Sequence, residues 1–245
     1  MMSNVSVLLT LAGVLAIGAS AVGGGALPVY KALKTGVAPV VDGKLDDECW
    51  KTAQVVTFVM ATTGEPATKD TKARMCWDDE HLYIAYECAD TDIRGTMTKH
   101  DEWIFQQEVV EAFINPSRDL RHYFEINLSP RNVTFDARID NPDGIGGNSN
   151  IEYDWTCVGL KSAVVVDGTI EDSSDVDRGW TCEAAIPFTA LDRTTPKPGE
   201  RWRMNLYRID REPEPVEFQA WSPPLFKPVR FHVPNRFGTL MFCAH

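Results

Sequence analysis

The chain has 245 residues, which suits one large β domain, and its 44% hydrophobic content is enough to build a core. A charged fraction of 24% excludes global disorder. The net charge of −11 and a pI of 4.9, with no basic stripe, exclude a nucleic-acid surface and disfavour an anionic membrane, so a neutral partner is expected.

The first segment, Met1 to Ala21, carries no charged residue. Its apolar run, Val7 to Ile17, is short for a membrane span, and Ala19-Ser20-Ala21 has the small-x-small form of a signal-peptidase site. Residues 1–21 are therefore read as a signal peptide of a secreted or periplasmic protein, although the positive n-region is missing. A membrane anchor is the competing reading. No stable membrane insertion is expected after cleavage. Residues 22–39 are read as an N-terminal extension and 40–243 as the folded domain.

Along the domain the period-2 signal dominates. Expected strands are His81 to Cys88, Glu108 to Ile114, Arg121 to Leu128, Val133 to Ile139, Trp155 to Leu160, Ala163 to Val166, Gly179 to Ile186, Arg201 to Ile209, Val216 to Trp221 and Gly238 to Phe242. Turn signals such as Asp42-Gly43, Asn115-Pro116, Asp167-Gly168 and Pro198-Gly199 lie between them. Helical pieces are short, at Lys44 to Ala53 and Pro187 to Leu191. The pattern predicts an all-β, antiparallel, jelly-roll-like β-sandwich with short helical turns.

Six cysteines (Cys49, Cys76, Cys88, Cys157, Cys182, Cys243) contain no C-x-x-C pair, which argues against zinc ribbons and thioredoxin-type sites. Cys157 and Cys182, on strands that could form a hairpin, are the candidate disulfide; otherwise the cysteines are small apolar core residues.

Several strands carry hydrogen-bonding side chains opposite their apolar stripe. These are Glu111, then Glu125 with Asn127, then Arg203 with Asn205 and Tyr207. Trp103, Phe105, Trp221, Phe226 and Phe231 lie in nearby loops. Sugar sites need this mixture, because an aromatic face covers the axial C–H surface of a pyranose while polar groups fix its hydroxyls. Solvated strand faces and aromatic core lids are the plainer explanations.

These residues resemble carbohydrate-binding module family 9, a DOMON-like sandwich found attached to xylanases and as standalone secreted proteins. VDGKLDDECWKTA (Val41 to Ala53), CWDDEHLYIAYECADTDI (Cys76 to Ile93), FQQEVVEAFINP (Phe105 to Pro116), GWTCEAAIPFTAL and FHVPNRFGTLMF match its motifs in order over Val40 to Phe242. The resemblance implies a β-sandwich that clamps a terminal sugar between two tryptophans, with calcium supporting the fold. Phe105 and Phe231 stand at the two tryptophan positions. Glu111 is the retained family carboxylate, Glu125 replaces a sugar-binding arginine, and Tyr207 replaces a glutamine.

The expected function is thus non-catalytic binding of a neutral oligosaccharide or polysaccharide, in support of extracellular polysaccharide catabolism beside glycoside hydrolases. Phe105 and Phe231 would stack, and Glu111, Glu125, Asn127, Tyr207 and Arg208 would bond hydroxyls. Trp103 or Trp221 is an alternative stacking face. A glycoside hydrolase using Glu111 and Glu125, and a degenerate envelope or adhesion scaffold, are the competing functions. Asp90 with Asp92, or Asp172, Asp175 and Asp177, could offer oxygen ligands to calcium, and solvated acidic loops are the alternative.

Overall fold

The computed structural model describes residues 26–145, 149–211 and 214–244. The expected signal peptide, residues 1–21, lies outside them. The strands are β1 (Val29–Lys34), β2 (Val56–Thr57), β3 (Val59–Met60), β4 (Thr71–Trp77), β5 (His81–Ala89), β6 (Val109–Asn115) and β7 (His122–Leu128), then β8 (Thr134–Asp140), β9 (Asn150–Glu152), β10 (Lys161–Asp167), β11 (Gly179–Pro187), β12 (Arg201–Asp210), β13 (Glu217–Ala220) and β14 (Gly238–Cys243). One short helix, α1 (Glu48–Thr52), and single 3-10 turns at Ile104–Gln106, Phe188–Leu191 and Pro234–Arg236 complete the described elements.

The strands form one hydrogen-bonded path, β10-β11-β5-β4-β1-β14-β12-β6-β7-β8-β9, with β13 beside β12 and β2 beside β4. This path curls over so that its two halves face each other. The main core holds Ile84 and Tyr86 of β5 and Cys182 and Ala184 of β11 against Ala112 of β6, Ile126 of β7 and Leu206 of β12. The Tyr86 hydroxyl donates to the Glu111 carbonyl at 3.1 Å across the layers.

Two expectations about organisation change. β1 lies inside residues 22–39, yet it pairs with β14 on one side and β4 on the other, both parallel. Among the described residues the first strand of the sandwich is therefore β1, and the sheet is antiparallel except around this strand. Tyr30 and Ala32 point into the core at 0% exposure while Val29 and Lys31 stay in solvent.

Trp155 to Leu160 is a turn rather than a strand. The Cys157 amide donates to Asp136 at 3.0 Å and the Leu160 amide to the Cys157 carbonyl, so no ladder can form there. With Cys157 in a turn, the expected hairpin with Cys182 is absent. Cys182 instead pairs with Val164 and Tyr86 on its two neighbouring strands. All six cysteines are free, and the Cys157–Cys182 disulfide is corrected accordingly.

Alternation along β6, β7 and β12 positions the outer face. Val110, Ala112 and Ile114, like Phe124, Ile126 and Leu128, point into the main core. Their neighbours Val109 and Phe113 with Tyr123 point the other way, into a second apolar layer that Ile104, Phe231 and Phe237 close from the loops.

Candidate functional site

A cavity of about 460 Å³ opens on this outer face. Its floor is set by strand register. Tyr207 of β12 pairs with Glu111 of β6, which pairs with Asn127 of β7, which pairs with Phe135 of β8. At about 4.8 Å between strands, the ends of this row lie about 14 Å apart. Phe231 stacks flat on Tyr207 at one end, with ring centroids 4.1 Å apart and planes 9° from parallel. Phe105 meets Phe135 edge-on at the other, with centroids 5.2 Å apart. Two phenylalanines thus flank a floor on which Glu111 stands, and all three line the cavity.

The next row carries Phe113 opposite Glu125. Glu125 is 5% exposed and accepts from the Asn127 side-chain amide at 2.8 Å. His232 packs on Phe113 with ring centroids 4.9 Å apart, places Nε2 3.8 Å from Glu125, and shares a 2.9 Å hydrogen bond between Nδ1 and the Tyr123 hydroxyl. Burial lowers the His232 pKa to about 4, so the ring is neutral at pH 7.

Glu111 is 2% exposed, and no hydrogen bond reaches its carboxyl group from any described residue. Burial and the neighbouring Glu125 hold its pKa well above the ordinary carboxylate range, while burial raises Glu125 to about 7 against the opposing pull of Asn127. Both carboxyl groups thus resist ionising in this dry floor, and the Asn127 donor favours charge on Glu125 over charge on Glu111.

A carboxyl group with a raised folded pKa holds its proton more tightly folded than unfolded. The fold bears no such cost below the unfolded value of about 4.5, and stability falls as pH climbs towards and past the folded value. Glu111→Gln is expected to raise the melting temperature by a few degrees at pH 8 and to leave it nearly unchanged at pH 4, as read by thermal melts at the two pH values.

The site's chemistry is a pair of buried carboxyl groups between flat apolar walls. A hydroxyl can donate to a carboxyl oxygen and, where the carboxyl keeps its proton, accept from it. Among the lining residues only Arg230, at the rim, is a fixed cation.

Against this geometry the family comparison is decisive. The family model for carbohydrate family 9 binding domain-like proteins matches residues 41–244. The chain belongs to this family. An extracellular protein of Arthroderma benhamiae is 27% identical over 196 residues, covering 77% of this chain and 85% of that protein. Exoglucanase XynX of Acetivibrio thermocellus is 29% identical over 156 residues, and the match takes 62% of this chain but 12% of that enzyme. A putative carbohydrate-binding protein from Bacteroides uniformis shares the fold, with a TM-score of 0.71 at 15% identity over 89% of this chain and all of that one. A family 9 module from Caldicellulosiruptor kristjanssonii, solved with cellotriose, superposes with a TM-score of 0.56 at 14% identity over 89% of this chain and 95% of that one.

Several of the residues expected to bind sugar do not line this cavity. Arg208 follows Tyr207 on β12 and so points the opposite way, into the interior, at 0% exposure. Trp221 faces the main core, edge-on to Tyr30 at 6.4 Å, over Gly238, where any Cβ would meet its ring at 2.7 Å. Asn127 and Tyr207 are at 0% exposure beneath the floor, where Asn127 orients Glu125 and Tyr207 supports Phe231. Trp103 is 51% exposed, outside the cavity and stacked on Phe105. His232, Arg230, Phe113 and Tyr153, which the strand pattern did not reveal, do line the cavity.

The expected calcium ligands also divide. Asp92 turns to Arg94 at 3.0 Å. Asp177 accepts from the amides of Ile93 and Thr169, and Asp172 accepts from the Ser174 amide and hydroxyl. Asp90 instead joins Glu108 and Asp210, with carboxylate oxygens within 4.8 Å of one another. Three buried carboxylates are ligands of the right kind for calcium. They do not fit it here, because the cage already holds its positive charge. Arg208 Nη2 donates to Asp90 at 2.8 Å and Asp210 at 2.5 Å, and Lys69 reaches Asp210 at 2.5 Å. Burial and Asp90 raise Glu108 to about 9, so it carries a proton at pH 7 and the charges balance.

Proposed function

We propose that this protein binds a neutral carbohydrate in the cavity between Phe105 and Phe231 and leaves it chemically unchanged. The observation that carries this reading is the row Tyr207–Glu111–Asn127–Phe135, which stands an unpartnered buried carboxyl group between two aromatic walls. A pyranose presents apolar C–H faces to the rings and hydroxyls to Glu111 and Glu125. The scarcity of fixed cations in the lining favours neutral sugars over uronic acids.

Catalysis is not favoured by the same geometry. Glycoside hydrolysis uses two carboxyl groups on opposite sides of the scissile bond. Glu111 and Glu125 are diagonal neighbours on adjacent strands of one sheet face, so both approach a bound sugar from below. Calorimetric titration against neutral oligosaccharides is expected to give saturable binding, with no reducing ends released on long incubation. Release of product that is abolished in Glu111→Gln would overturn the non-catalytic reading.

Action outside the cell, in polysaccharide breakdown alongside glycoside hydrolases, is supported by the extracellular relative and by the relatives that are xylan- or glucan-degrading enzymes. Structural calcium is not part of this reading. With Arg208 and Lys69 in the carboxylate cage, the melting temperature is expected to differ by less than about 1 °C between millimolar calcium and chelator. A rise of several degrees with calcium would show that a metal is held after all.

A further inference from the structure

On β4, Met75 and Trp77 point into the main core, so Cys76 between them points the opposite way. There it joins a small separate apolar cluster, in which Cys49 and Trp50 of α1 pack with Cys76, Tyr83, Ala85 and Ala185. The Cys49 and Cys76 thiols are in hydrogen-bonding contact, and that contact together with burial holds the Cys76 thiol well above its ordinary pKa. Both thiols are free in this structure.

The backbones that carry them are fixed independently. Cys76 pairs with Tyr83 of β5 on one side and Leu33 of β1 on the other. α1 is anchored by Trp50, whose indole donates to Glu183 of β11 at 2.6 Å. The same carboxylate accepts from the Asp42 and Gly43 amides at 3.0 and 2.7 Å, which ties down the chain leading into the helix. The two sulfurs are thus brought together by the fold rather than by chance encounter. A cleft of about 530 Å³, lined by Thr35, Val37, Glu48 and Thr52 among others, reaches both cysteines. Cys49 is 9% exposed and Cys76 2%. A small reagent can therefore approach a pair that otherwise belongs to the interior.

We propose that Cys49 and Cys76 are a disulfide-forming pair, oxidised by a small-molecule disulfide that enters this cleft, and that the bond fastens α1 to β4. The proposal holds whatever the aromatic-walled cavity binds. Cys49, the more exposed of the two, reacts first. Its thiolate attacks one sulfur of the small disulfide, breaks that S–S bond and releases one small thiolate. The Cys76 thiol then gives its proton to solvent and attacks the Cys49 sulfur, which expels the second small thiolate. Two protein thiols become one disulfide, and the two electrons leave with the small disulfide, now reduced to two thiols. Because Cys76 holds its proton tightly, ring closure is slow at neutral pH and quickens as pH rises.

The test is to incubate the purified protein with oxidised glutathione, unfold it in urea, alkylate it and map the cysteines by mass spectrometry. Of the six cysteines, four are expected to be alkylated and Cys49 and Cys76 to be found bridged; prior reduction is expected to leave all six alkylated. The bond closes a loop of roughly 27 residues, so the oxidised form is expected to melt about 5–10 °C above the reduced form. Cys49→Ala is expected to melt at one temperature with and without oxidant. That comparison is made within one variant, so any cost of the substitution to folding cancels. Six alkylated cysteines after oxidation, a bond joining Cys88 to Cys182 or any other pair in its place, or oxidised and reduced forms that melt together would each overturn the proposal.

Discussion

Arg208→Met is expected to lower folding stability by about 3–5 kcal/mol, because it leaves buried charges without a partner. Arg208 joins the layers of the sandwich. From β12 it bonds the Thr71 hydroxyl on β4 at 3.1 Å, the Ala89 carbonyl at the end of β5 at 2.8 Å, and Asp90 just beyond. Methionine fills similar space but supplies no charge, so Asp90 and Asp210 face each other in a dry interior with only Lys69 nearby. Urea unfolding should show the loss as a shift of midpoint with an unchanged slope. A double variant, Arg208→Met with Asp90→Asn, should recover part of the loss by removing one orphaned charge. Calcium should stabilise Arg208→Met and leave wild type unmoved, since the variant exposes the oxygen cage to an outside cation. A variant as stable as wild type would mean that Asp90 and Asp210 are not held as buried charges in the folded protein.

The second large effect is on binding. Phe231→Ala is expected to raise the sugar Kd at least about 30-fold, equivalent to roughly 2 kcal/mol, the scale of an aromatic anchor in a desolvated site. The ring forms one wall and also covers Tyr207, whose hydroxyl donates to the Phe231 carbonyl at 2.8 Å. That hydrogen bond is to the backbone and survives the substitution. Phe231→Leu separates the two roles: it restores much of the volume but offers no π face, so it should keep the melting temperature near wild type while binding stays weak. Phe231→Trp should tighten binding a few-fold through its larger face. Calorimetry on the three variants reads the effect, and equal affinity in all of them would exclude Phe231 as a wall.

Much of this arrangement follows from alternation. The stripes Val110-Ala112-Ile114 and Phe124-Ile126-Leu128 fix which way Glu111, Glu125 and Asn127 face, and the structure places them so. The same rule assigns Arg208 to the interior once Tyr207 faces out, since consecutive strand residues cannot share a face. Tyr207 and Arg208 therefore cannot both face one sugar, and it is Arg208 that is buried in the interior. Trp221 is harder, because it leaves β13 and its direction depends on Gly238, a residue brought beside it only by folding.

The loop contributions were not legible for a related reason. Nothing local to Phe-His-Val-Pro says that His232 will settle on Phe113 beside Glu125, or that Tyr153 will meet Trp103 across 50 residues. β1 escaped detection because its partners are remote. Its inward residues, Tyr30 and Ala32, are few, and both neighbouring strands lie parallel to it. β4 hides similarly, with Lys72 and Arg74 alternating with its inward Ala73 and Met75.

The parallel pairing of β1 with β14 has a bearing on how such a module can be strung into a longer polypeptide. Val29 lies beside Thr239 and Leu33 beside Cys243, so the two strands run side by side in the same direction. The backbone therefore comes in at one pole of the sandwich and departs from the other, separated by about 15 Å of strand. Grafting into a surface loop of a host domain, which works best when the two ends of the guest nearly touch, is disfavoured by this layout. Threading like a bead on a string, with neighbours attached fore and aft, requires no rearrangement at all.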